Sequence, residues 1–267
     1  CLLLAAGIAL HGAGFTARCI LAERFAIQNQ FESMVGLSLF AALVGLVVMI
    51  ARRQLIFGAA AAAAGFLILI TATETGIPGR TIEREAAILN TSVLLKYHVT
   101  TVLTSYGLIT LGFVVSCFYL ATHYASRLGG RTEFHAVAEG ALAASSSQAG
   151  AEGSSSSPAS SPASRTLAEL DAAQMVMLQL AFWTLGVGVL LGAWWADHSW
   201  GRWWAFDPKE TWALITWIVY LIAIHARFAG VRDKALVTAW LSVVGFGVML
   251  FTYFGVNLML PGLHAYA

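Results

Sequence analysis

The sequence predicts an all-α fold, a polytopic transmembrane helix bundle of about seven spans with an external Trp-rich loop, and three observations predict it. Residues are 58% hydrophobic and only 11% charged, and the mean hydropathy of +0.75 lies far above that of a water-soluble domain. Apolar stretches of the length a helix needs to cross the hydrocarbon core recur along the chain, separated by charged or Gly/Pro-containing gaps. Seven of the nine tryptophans fall between Trp194 and Trp217.

In order, the predicted spans are Cys1–Thr16, Met34–Ile50, Leu55–Ile70, Lys96–Leu120, Met175–Ala193, Thr211–Ala226 and Ala235–Phe254. Residues 140–164 are almost wholly Ala, Ser, Gly and Pro, a composition that cannot bury enough apolar surface to offset its ordering entropy. The expected organisation is therefore a membrane half over 1–138, a flexible linker over 139–165 and a second membrane half over 166–267. The segment Thr73–Thr91, with Gly76, Pro78, Gly79 and the charges from Arg80 to Glu85, is short enough to be an ordered surface loop. A net charge of +1 with no basic stripe argues against nucleic acid as a partner. Cys1, Cys19 and Cys117 follow neither a C-x-x-C nor a metal-ligand spacing, and read as apolar filler.

Alternation through seven spans puts Arg18–Phe31, Thr73–Thr91, Trp194–Glu210 and the tail after Phe254 on one membrane face, with the linker on the other. Basic residues divide eight to seven in favour of the linker side, a weak bias. Arg52–Arg53 and the Arg227–Lys234 stretch sit tight against span ends, and they place the linker inside and the Trp loop outside.

The loop reads WWADHSWGRWWAFDPKETWALITW. An interfacial aromatic belt accounts for two or three tryptophans at a membrane edge. A whole loop of them suits a platform for a large planar ligand, with indole N–H groups reaching its polar rim. Asp207, Pro208 and Glu210 have a structural reading of their own as N-cap, N1 and capping-box residues. Arg202 and Lys209 can pair either with ligand carboxylates or with Asp197, Asp207 and Glu210.

Among seven histidines, His98 begins the fourth span and His264 follows the seventh, so both belong on the face of the Trp loop. Two imidazoles meeting from separate helices are what axial ligation of a haem iron requires, although a histidine at a span end is also an ordinary interfacial polar residue. His225 lies 13 residues beyond Trp212, about 20 Å along a helix and thus at hydrocarbon depth. An ionisable side chain there is either functional or a helix–helix hydrogen-bonding group next to Arg227. His11, His123, His135 and His198 receive no role.

At WGRWWAFDPKETWALITW the chain resembles the CcsA/ResC family of cytochrome c biogenesis proteins (System II), within the haem-handling proteins defined by a WWD loop. QNQFESM (28–34) looks like that family's N-x-Y-E-S element, LLKYHVTTVLTSYG (94–107) like its first external histidine helix, and FGVNLMLPGLHAYA (254–267) like its closing G-L-H-S-Y element. Phe206 departs from the family's usual Trp before the Asp, and the Ala/Ser linker is extra. The resemblance implies haem b as cofactor, His98 and His264 as external axial ligands of the iron, and His225 as ligand at a second, intramembrane haem site. It also implies that the Trp loop, with Trp195, Trp200, Trp203, Trp204, Asp207 and Trp212, holds the haem edge. The implied setting is a cytochrome c synthetase complex in a bacterial inner membrane or thylakoid membrane, with a ResB/CcsB-type membrane protein and apocytochrome c as partners. A haem exporter without attachment activity, a b-type electron-transfer subunit and a scaffold with an aromatic belt are the rival readings.

Overall fold

A computed structural model gives the architecture and describes residues 2–74, 76, 79–82, 92–127 and 162–262. Among these, every regular element is helical. The helices are α1 (Leu2–Leu21), α2 (Gln30–Arg52), α3 (Leu55–Glu74), α4 (Val93–Arg127), α5 (Pro162–Trp200), α6 (Pro208–His225) and α7 (Lys234–Leu250). A π turn at Phe251–Gly255 and a short α8 (Val256–Met259) continue α7. Six of the helices are long and apolar enough to cross a membrane, α7 with its extension counted as one. The other, α6, has 18 residues, about 27 Å by helical rise, and packs between α5 and α7. The chain is an integral membrane helix bundle.

α4 is the central helix, packed on α2, α3, α5 and α7, whereas α1 leans on α2 and buries only Phe15. Where helices cross, small residues let backbones approach, as expected where lipid supplies no hydrophobic drive for association. Gly45 of α2 lies against Ala61 of α3, and Gly107 of α4 against Ala41 of α2. On α5, Gly188 and Gly192 form one small-residue face, met by Val102 and His98 of α4. Buried polar groups cross-link the interior: Ser116 donates to Gln174 Oε1 at 3.0 Å, and the Thr216 and Thr252 hydroxyls share a hydrogen bond of 2.9 Å.

All seven predicted spans correspond to helices, but the helices outrun them. α5 begins at Pro162, not Met175, because polar turns from Arg165 to Gln174 remain helical below the apolar run. It also continues to Trp200, so Trp194, Trp195 and Trp200 are helical, not in a loop as expected. From Trp194 to Trp200 there is no Gly or Pro, and the helix ends at Gly201, whose φ of +69 and N–H donated to Asp197 O at 2.8 Å put it in the left-handed conformation glycine favours. The loop proper is only residues 201–207. The greater part of the predicted linker, and His264, lie outside the described residues.

Candidate functional site

One end of the bundle encloses a cavity of about 370 Å³ between α2, α4, α5, α6 and the π turn. Apolar lining comes from Leu95, Val99, Val102 and Leu103, while Trp195 and Trp204 supply flat aromatic surface. Polar lining comes from Gln28, Asn29, His98, Lys209 and Asn257.

His98 enters from the first turns of α4. Its Nδ1 lies 2.8 Å from the carbonyl oxygen of Gly188 on α5, and because a carbonyl only accepts, Nδ1 carries a proton, which in the neutral ring leaves the lone pair on Nε2. His198 and His225 also have Nδ1 near a carbonyl, at 3.0 and 2.8 Å, but each carbonyl is four residues back on its own helix. The interhelical bond distinguishes His98 from these two.

The tryptophans divide by role. Trp195 is 2% exposed, packs on Leu95 and meets Trp200 edge-on with centroids 4.9 Å apart. Trp204 is half-buried at the cavity wall, and Trp203 is 56% exposed. Trp212 packs against Phe251 of the π turn, centroids 4.4 Å apart, and does not line the cavity. Trp217 rivets α6 to α5, stacking on Phe182 and donating its indole N–H to the Phe182 carbonyl at 3.2 Å. Phe206, where the resembled family usually has Trp, has φ +56 and is 79% exposed, and it makes an edge contact to Trp204.

Asp207 is the N-cap of α6 and closes a capping box with Glu210, as its spacing predicts. Glu210 Oε2 accepts the N–H groups of Ala205 at 2.9 Å and Asp207 at 3.2 Å, so it fixes the exit of the loop. The far end of the chain returns to this point: a β-carbon built on Gly262, two residues before His264, falls 2.7 Å from Asp207 Oδ1. Lys209, in the polar turn ahead of the apolar run of α6, donates to Asn257 Oδ1 at 2.8 Å. Burial pushes its ammonium down to about 8, against the opposing pull of Asp207.

Three groups were not legible as site residues. Tyr253 and Asn257 reach the cavity from the π turn and α8, where the extra residue per turn re-aims side chains relative to α7. Tyr253 donates to Gln30 O at 2.9 Å, tying α7 to the start of α2. Glu32 is fully buried beneath the loop 22–29: Arg24 donates to its two oxygens at 2.6 and 3.0 Å and Arg18 Nε at 3.2 Å. Arg18 also donates to Gly79 O at 2.8 Å and Arg80 O at 3.0 Å, so one carboxylate organises α1, α2 and the segment 79–81. His225 is placed elsewhere, as the last residue of α6, exposed, at the helix end remote from the loop.

Comparison with known proteins matches this architecture to one family. A family model described as Cytochrome C assembly protein matches residues 27–264. "Cytochrome c biogenesis protein CcsA" of Thermosynechococcus vestitus is 50% identical over 103 residues, 38% of this chain and 32% of that protein. A CcsA of a Synechococcus species is 34% identical over 174 residues, 64% of this chain and 53% of that protein. "Protein NrfI" of Wolinella succinogenes is 42% identical over 106 residues, 40% of this chain and 12% of that protein. The matched stretches thus span about half or less of these relatives' own lengths. The chain is a member of the cytochrome c assembly protein family.

Proposed function

We propose that the chain holds haem b in the cavity at the Trp-loop end and presents it for covalent attachment to apocytochrome c. The face is the outer one of an energy-transducing membrane, and the setting a cytochrome c synthetase that includes a ResB/CcsB-type membrane protein. The observation that carries the proposal is His98: an imidazole locked by an interhelical N–H···O=C bond, lining a cavity walled by indoles.

The donor set suits the group. A carbonyl accepting from Nδ1–H is the usual way a ligating imidazole is oriented, with Nε2 left for the metal. Trp195 and Trp204 offer flat apolar surface, and Lys209 a buried cation. His264 is proposed as the second imidazole that would hold the iron. His225 is proposed as ligand at a separate haem site: its exposed ring is accessible to a neighbouring chain in the membrane.

Haem bound here supplies vinyl groups and a redox-active iron. Adding a cysteine S–H across a vinyl group requires no net oxidation, so the work left to this chain is positioning and exclusion of water. His98 and the α4–α5 contact fix the ligand nitrogen, Trp195 and Trp204 shield the cavity, and the Asp207–Glu210 cap holds the loop in register. No side chain is assigned as acid, base or nucleophile.

The test is an absorption spectrum of the detergent-purified chain co-expressed with its partner, beside His98→Ala and His264→Ala variants. A reduced low-spin haem spectrum in the parent that is lost or turns high-spin in each variant is the expected result. No haem in the parent, or a spectrum indifferent to both substitutions, overturns the ligand assignment. Haem released but never attached to apocytochrome c makes the chain an exporter.

A further inference from the structure

We propose that Lys209, held by Asn257, is the carboxylate receptor of the cavity and takes a propionate of the bound macrocycle; this rests on the haem reading above. An ammonium has three donors, and among the described residues Lys209 has one side-chain acceptor, the neutral amide oxygen of Asn257 at 2.8 Å. Asn257 is itself oriented, because its Nδ2 donates to Tyr253 O at 2.6 Å and so turns Oδ1 toward the lysine. Among the described residues, no carboxylate lies within ion-pair distance of Lys209 Nζ. The two acidic groups beside it in sequence serve the helix start, Asp207 accepting the backbone N–H groups of Lys209 and Glu210, and Glu210 those of Ala205 and Asp207.

A buried cation whose contact partner is neutral keeps most of its desolvation cost, and a carboxylate in the same cavity removes it by a charge-assisted hydrogen bond. Lys209 and His98 line one cavity, together with the apolar side chains of α4. That combination matches a macrocycle with a central metal, an apolar edge and an anionic edge. Lys96 also lines the cavity, but its side chain is exposed at the rim, where water screens the charge. Arg202 is exposed and does not line it.

The experiment compares haem with its dimethyl ester, in which both propionates are neutral, by absorption titration of the haem-depleted purified complex. Lys209→Met should weaken haem about tenfold or more while changing affinity for the ester little, and Lys209→Arg should retain most of the parent's affinity. Asn257→Asp places a competing carboxylate on Lys209 and should likewise weaken haem selectively; it carries the test where Lys209→Met does not fold. Equal losses for haem and ester, or no loss of haem affinity, overturn the receptor. A parent that binds neither ligand overturns the haem reading and this inference with it, whereas haem binding indifferent to Lys209 leaves that reading standing.

Discussion

Gly192 leaves the space that the His98 ring occupies: a β-carbon built on Gly192 falls 2.5 Å from His98 Cε1 and 2.9 Å from Nδ1. Together with Gly188, whose carbonyl faces the same ring, it seats the imidazole against the α5 backbone. Gly192→Ala should therefore push the ring off its carbonyl and destabilise the bundle by about 1–3 kcal/mol. Gly12→Ala on α1, where nothing lies within 4 Å of the new methyl, should be neutral or stabilise by up to about 1 kcal/mol. Unfolding midpoints in detergent check both, and equal midpoints for the two variants would refute the crowding argument.

Glu32 holds two arginines at once, and its removal leaves both cations in a poorly solvated layer. Glu32→Gln should cost about 3 kcal/mol, and it should expose the segment 22–29 to proteolysis because Arg24 and the Gln28 N–H lose their shared acceptor. Arg24→Met combined with Glu32→Gln should cost less than the sum of the two single changes. Additive losses in a denaturation cycle would mean that the ion pair is not coupled.

How far the sequence carries is seen in particular residues. Helix period, span length and the D-P-K-E spacing are local signals, so the helices and the α6 cap follow from them directly. His98 was singled out by its position at a span end, but its orienting carbonyl is 90 residues away and could not be read from spacing. The tryptophan cluster was visible, yet its division was not: burial of Trp195, exposure of Trp203 and the rivet made by Trp217 depend on which face of each helix meets a neighbour. Tyr253 and Asn257 were hidden because the π turn, which contains the first and precedes the second, shifts the register of the helix. Glu32 lies within QNQFESM, but its role depends on two arginines, one on α1 and one in the following loop, converging on it.

Asp207 is a cap in the structure, so a cap-competent replacement should preserve it. Asp207→Ala should cost about 1 kcal/mol, and Asp207→Ser most of that less. Both variants should be compared by thermal unfolding and by haem absorbance. If Asp207→Ser keeps stability but loses haem as fully as Asp207→Ala, the carboxylate contributes to binding beyond its cap.

Trp195 and Trp203 separate packing from presentation. Trp195 is 2% exposed and closes the contact between α5 and Leu95 of α4, so Trp195→Ala should cost about 3–5 kcal/mol whatever the ligand. Trp203 is 56% exposed, so Trp203→Ala should leave stability within about 0.5 kcal/mol. If the loop serves only as an interfacial belt, Trp203→Ala leaves haem absorbance and transfer to apocytochrome c untouched. A platform instead predicts that Trp203→Ala weakens haem retention with unfolding nearly unchanged, because a mostly exposed indole has little intramolecular packing to lose and its ligand contact to give up. Haem retention per folded molecule, measured on both variants in one preparation, decides between the two.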